Sequence, residues 1–283
     1  MTKVGLRRDY DLTRRLTRAQ TLSLRVRQEP VDDVVTQIRN DLTYLRLHHA
    51  VEVIDDLLTD ARRRRWTPAK LLAEVLAAEA IATSDRRLQL RLKFAKFPVY
   101  RTLEDFDLDF QPSVDRELLT HVATLEFVEQ GRSLLFLGQP GCGKTHLAIA
   151  IAIRAVEAGY SAYFTNAAQL AVHAGLCLAN DETSRVEKTY ANPRVLVVDD
   201  VGLTPFDRAG VNAMFHVINR RYELGLPTIV TTNRSLTAWP EVFGEPLIAA
   251  AILDRLLHGA HVFNIKGPSW RLKEHAGLLT GTG

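Results

Sequence analysis

Apolar residues recur at two different periods along this 283-residue chain. From 31 to 97 the period is helical. Val34, Ile38, Leu42 and Leu45 make one stripe, and Val53, Ile54, Leu57 and Leu58 make a second. Thr67-Pro68 reads as a helix start, with Thr67 as N-cap and Pro68 in the first turn. A third stripe follows at Leu71, Leu72, Val75, Leu76 and Ala80, resumes at Leu88 and Leu92, and ends before Pro98. The pattern predicts a small all-helical domain over 29–100, preceded by a basic arm over 1–28 that shows no apolar face.

Beyond 101 the pattern changes. The stretch 101–112 reads as a linker that docks on the next domain, and Ser113 as the cap of a helix running to about Gln130. Short apolar runs of the buried-strand type then appear near 133–137, 160–165, 194–199, 227–232 and 261–265. Helical patterns fill the intervals near 145–158, 166–178, 207–224 and 246–258. Strict alternation of this kind predicts an α/β domain over 101–283, with a five-stranded parallel sheet covered on both faces.

The first two of these elements frame the chain's sharpest motif. Gly138-Gln139-Pro140-Gly141-Cys142-Gly143-Lys144-Thr145 fits G-x-x-x-x-G-K-[ST] and joins the run Leu134–Leu137 to a helix that opens with His146. Strand, glycine-rich loop and helix form a phosphate cradle, because the glycines let successive backbone N–H groups turn inward. Lys144 then reaches the β- and γ-phosphates of ATP, and Thr145 holds Mg²⁺. Arg194 to Val198 leads to two carboxylates, Asp199 and Asp200. A buried strand of that kind delivers Asp199 to the metal and leaves Asp200 to activate the attacking water. Asn233, at the tip of Thr228–Thr232, is placed to bond that water or the γ-phosphate, although on local sequence alone a turn asparagine after a strand is the stronger explanation. Arg255, near the end of an apolar helix, fits an arginine finger reaching a neighbouring subunit's nucleotide, or an ordinary pair with Asp254.

Charge adds a partner. The net charge is only +3, yet residues 1–100 carry 20 Lys+Arg against 13 Asp+Glu, while 101–283 carry 16 against 20. Residues 1–27 alone carry 8 against 2. Two basic clusters, Arg62 to Arg65 and Arg86 to Lys96, interleave with Trp66, Phe94 and Phe97, which suits nucleic acid. The two cysteines, Cys142 and Cys177, form no C-x-x-C pair, so neither a disulfide framework nor a zinc site is expected. The longest apolar run is too short to span a bilayer and no signal-peptide core opens the chain, so a cytoplasmic protein without membrane contact is expected.

The order of these motifs, together with Ile252-Leu253-Asp254-Arg255-Leu256-Leu257-His258, resembles the IstB-like AAA+ ATPases, helper proteins of bacterial insertion-sequence transposases and relatives of the helicase loaders. Thr102–Asp107, Gly141–Ala148, Arg220–Glu223, Trp239–Gly244 and Ser269–Leu272 are similar to that family's pattern, and the likeness runs over about 31–275. It implies an AAA+ core without a full C-terminal lid. It also implies ATP and Mg²⁺ as ligands, homo-oligomers formed through the ATP interface, binding to duplex DNA with little sequence preference, and a cognate transposase as partner. In this light Asp200 is the base, Asn233 the γ-phosphate sensor, Arg255 the finger in trans, and Arg271 a second sensor. Many AAA+ proteins carry Glu where this chain has Asp200, which implies slow or partner-dependent hydrolysis. A helicase loader with the same motor is the alternative reading. A small-molecule P-loop kinase would need an arginine-bearing lid that the pattern does not show.

Overall fold

The computed structural model describes residues 31–272, so the predicted arm over 1–28 lies outside the described residues. The chain divides between Ser84 and Asp85 into two compact units.

In the first unit, α1 (Val31–Tyr44), α2 (His48–Arg64) and the first half of α3 (Pro68–Ala95) gather around Ala50, Ile54 and Val75. Only part of each predicted stripe is buried. Ile38, Leu42, Leu57, Leu58 and Leu71 pack on this core, whereas Leu45 (61 % exposed), Leu72 (60 %) and Leu76 (52 %) face outward. Glu79 turns inward in place of the expected Ala80. The reason is local: α2 starts after Leu47, which has no side-chain acceptor, and Glu79 accepts the Ala50 N–H at 2.9 Å instead. A carboxylate from α3 thus caps α2, satisfying one of the N–H groups a helix start leaves open.

The second unit holds the sheet. Its strands are β1 (Leu134–Gly138), β2 (Ala162–Asn166), β3 (Val195–Val201), β4 (Thr228–Thr232) and β5 (His261–Ile265), all parallel, in the order β2-β3-β4-β1-β5. Side chains alternate between two cores, as the two-residue period of a strand requires. Leu134, Phe136, Val195, Val197 and Ile229 meet α6 (Lys144–Glu157) on one face, together with Leu88, Leu92 and Ala95 from the end of α3. Leu135, Leu196, Val198 and Val230 meet α7 (Ala167–Ala179), α9 (Arg208–Glu223) and α11 (Pro246–Leu257) on the other. All five predicted strands and the four helices predicted between them are present.

Other segments depart from the pattern. The expected helix from Ser113 is two, α4 (Arg116–Ala123) and α5 (Glu126–Gln130), broken at Leu125 with φ 68°. Asp115, not Ser113, caps α4 by accepting the Leu118 N–H. An unbroken helix would carry the stripe of Leu119 and Val122 onto Glu126 and Glu129; the break instead turns Phe127 and Val128 into the core. A helical excursion, α8 (Thr183–Val186) with a wide turn over Glu187–Ala191, and the short α10 (Trp239–Phe243) are additions that periodicity did not show.

The excursion is held by Arg221, in the last turn of α9, which is 1 % exposed. Its guanidinium donates to the carbonyls of Tyr190 (3.0 Å), Ala191 (3.1 Å), Pro193 (2.8 Å), Arg194 (3.3 Å) and Pro227, and its Nε donates to Thr228 Oγ1 at 3.0 Å. Burial, reinforced by nearby Arg194, pulls its pKa down to about 9, which leaves it charged at neutral pH. The carbonyl dipoles take the place of a carboxylate partner.

Candidate functional site: a phosphate loop facing two carboxylates

β1 ends at the glycine-rich loop, and β3 and β4 end beside it, because β4 lies between them in the sheet. The loop turns on Gly141 and Gly143, with φ of 81° and 96°. A side chain at Gly141 would collide with Ser269, and one at Gly143 with the ring of Phe106. Both positions therefore require glycine on two counts, backbone hand and space.

Lys144 opens α6, is 5 % exposed, and donates from Nζ to the Gln139 carbonyl at 2.9 Å. Thr145 and Thr231 both donate to Asp199 Oδ1, at 2.8 and 2.5 Å. Burial raises the pKa of Asp199, with the Asp200 charge acting in the same direction, and the two hydroxyl donors only partly offset this. A buried carboxylate held beside a threonine at a helix start is a hard-oxygen pair suited to a divalent cation.

Asp200 sits in left-handed backbone, φ 56°, where the β3–β4 register slips between Val198 and Val201. Its N–H donates to Thr231 Oγ1 at 2.9 Å. The bulge turns Asp200 into the cavity wall, a common use of bulges next to functional sites. Asn233 also lines the cavity, and its Oδ1 is buried with no hydrogen-bond partner among the described residues. An unpaired buried acceptor of this kind suits a ligand or bound water.

These groups surround one cavity of about 620 Å³. The sequence candidates Pro140, Gly141, Cys142, Gly143, Lys144, Thr145, His146, Asp199, Asp200, Asn233 and Arg271 line it. Gly138, Gln139 and Arg255 are not among its lining residues. Arg255 donates to Asn219 Oδ1 at 2.7 Å and to the Ala251 carbonyl at 2.9 Å, with its guanidinium 5.1 Å from the Phe215 ring. His146 is half-buried, its Nε2 lies 2.8 Å from the Thr102 carbonyl, and burial lowers its pKa.

The far wall holds residues that were not site candidates, although Phe106 and Trp270 lie in stretches that carry the family likeness. Arg101, Phe106, Phe110 and Gln111 come from the expected linker, Val99 from just before it, and Trp270 from the segment after β5. The Trp270 N–H donates to the Gly141 carbonyl at 2.9 Å, and its ring meets Phe110 edge-on at 4.9 Å. Gln111 Nε2 donates to the Pro268 carbonyl at 2.8 Å, tying the two segments together. No local period marks such residues; only the long-range fold gathers them.

Sheet order, phosphate loop and the Asp199–Asp200 strand end together define a P-loop nucleotide-binding protein with the AAA+ core. The chain belongs to the IstB-like ATP binding protein family, whose pattern matches residues 40–277. It is 38% identical over 241 residues to the ATP-binding protein named for insertion sequence IS21 in Pseudomonas aeruginosa, covering 84% of this chain and 91% of that protein. It is 39% identical over 209 residues to the one named for IS5376 in Geobacillus stearothermophilus, covering 73% and 82%. Among solved structures, AMPPCP-bound DnaA from Aquifex aeolicus is similar in fold, with TM-score 0.50 at 21% identity over 66% of this chain and 56% of that one.

Proposed function

We propose that this protein is an ATP-hydrolysing, DNA-binding regulator of transposition. It assembles through its ATP interface on duplex DNA, remodels that DNA, and recruits and stimulates the transposase of its own insertion sequence in the bacterial cytoplasm. One observation carries the reading: Lys144, Thr145, Asp199 and Asn233 line a single cavity in a chain whose relatives are named as insertion-sequence ATP-binding proteins.

In this reading the inward amides of 138–143 and the ammonium of Lys144 bind the phosphates, with Arg271 adding positive charge from the segment after β5. Thr145 and Asp199 would hold Mg²⁺, which neutralises charge building up on the phosphates. Asp200 accepts the proton of the attacking water, and Asn233 bonds that water or the terminal phosphate through its free Oδ1. Arg255 acts in trans, leaving Asn219 for the nucleotide of a neighbouring subunit. Nucleotide-driven assembly then lines basic helical units along DNA, so DNA affinity follows nucleotide state.

The test is mass and DNA binding of the purified protein on random-sequence duplex, with ADP and with a non-hydrolysable ATP analogue. Assembly on DNA only with the analogue, weakened steeply by salt, is the expected result. A monomer that binds nucleotide and ignores DNA would refute the reading. Lys144→Ala is expected to abolish analogue-dependent DNA binding, and unchanged binding would break the coupling. Arg255→Ala is expected to leave single-subunit ATP affinity largely intact while turnover of the assembly falls about 10³-fold, the scale of an arginine finger. Normal turnover with a lowered Tm would instead confine Arg255 to its contacts with Asn219 and Ala251.

A further inference from the structure

Of the two basic clusters, one rides on a helix packed on the core of the second unit and the other projects from a turn of the first, and both carry exposed arginines. In the second unit Leu88 and Leu92 seat the end of α3 on the core, and Lys96 lies 5.5 Å over the Tyr163 ring. Its arginines ride on a packed helix as a solvated face.

The turn between α2 and α3 is built differently. Between Asp60 and Glu74 it carries five cations (Arg62, Arg63, Arg64, Arg65 and Lys70) against those two carboxylates. Asp60 takes Arg63 and Arg64, and Glu74 takes Lys70. Arg62 and Arg65 are exposed, and their side chains have no partner among the described residues. One or two cations suffice to complement the end of a helix dipole; four in succession repel one another.

Arg65 sits in left-handed backbone, φ 53° and ψ 47°, as the C-cap of α2, with the Trp66 N–H returning to the Ala61 carbonyl at 2.9 Å. Glycine is the residue that position favours. Arg46 and Lys96 share this backbone hand, so what sets Arg65 apart is its unpaired, exposed guanidinium beside Trp66. Trp66 next to it is half-buried, is absent from the apolar cluster of its unit, and lies 5.9 Å from both the Arg64 guanidinium and the Lys70 ammonium.

We infer that this turn is the unit's contact with duplex DNA: Arg62 and Arg65 take backbone phosphates, and the Trp66 indole stacks on a base exposed where the duplex bends. The inference rests on the proposed DNA binding and names the surface that carries it.

The test uses the full chain with the ATP analogue and random-sequence duplex, reading affinity by fluorescence anisotropy across a salt series. Arg62→Gln with Arg65→Gly is expected to lower the slope of log K against log salt by about two, near one per lost phosphate contact. Arg65→Gly alone relieves the left-handed strain, so its Tm does not fall while its DNA affinity does, separating binding from folding. Trp66→Ala is expected to weaken binding about five- to hundred-fold with little change of slope. Nucleotide-driven assembly without DNA stays as in the wild type. Wild-type affinity and slope in the Arg62→Gln/Arg65→Gly protein would overturn this surface alone, as would a loss that follows Arg86→Gln/Arg87→Gln instead. A wild-type protein that binds no duplex would overturn it together with the DNA-binding reading.

Discussion

Arg221→Leu is expected to give a protein that scarcely folds. Six acceptors converge on that guanidinium, from the turn at Tyr190–Pro193, the start of β3, the start of β4 and Thr228. Leucine fills part of the volume and returns none of the donors. Each buried carbonyl left unpaired costs about 1–3 kcal/mol. With partial relaxation the total is at least about 4 kcal/mol, a large share of the 5–15 kcal/mol that holds a typical domain. Arg221→Lys keeps the charge with three donors and is expected to fall between the two. Urea unfolding of the three proteins decides the matter; a leucine variant within about 1 kcal/mol of wild type would show that the carbonyls find other donors.

The second large effect separates stability from activity. Asp199→Asn retains an oxygen for Thr145 and Thr231 but removes the buried charge. Because burial raises the native pKa of Asp199, the folded chain holds that proton more tightly than the unfolded one. Its contribution to stability is therefore greatest at pH below the ordinary carboxylate range and declines as pH rises through the raised native pKa. The nucleotide-free asparagine variant is accordingly expected to melt no lower than wild type at pH 7–8, and the two curves to converge in acid. Its Mg²⁺-dependent gain in ATP affinity is expected to vanish and turnover to fall about 10²-fold or more, the scale of one lost charge-stabilising group. A variant that melts well below wild type at neutral pH while keeping its Mg²⁺ response would overturn both the burial argument and the metal role.

These two residues also mark where sequence reading works and where it stops. Asp199 was legible because a buried parallel strand writes itself as an uninterrupted apolar run, and its end is fixed by the polar residues beyond it. The phosphate loop was legible for a similar reason, since its glycines answer to backbone geometry within eight residues. Arg221 was not. Its neighbours Arg220 and Tyr222 make the segment look like an exposed helix end, and its six partners lie up to 31 residues away in the chain. Glu79 misled in the opposite way: the helical period assigned Ala80 to the core, but the missing cap on α2 outweighed the periodicity. The linker at 101–112 was recognised as docking, but not as a cavity wall, because Phe106 is defined by the bare Gly143 it covers.

That cover has a consequence for watching the protein at work. The Gly141 carbonyl is bonded by the Trp270 amide, and Gly143 lies under Phe106, so the phosphate loop is braced from segments about 130 residues downstream and 40 upstream. The amide of Trp270 is thus a built-in reporter of the loop. Its exchange with deuterated solvent should slow when nucleotide settles the loop and quicken when the loop opens. A label placed near Trp270 would report on the loop from outside the glycine-rich segment itself.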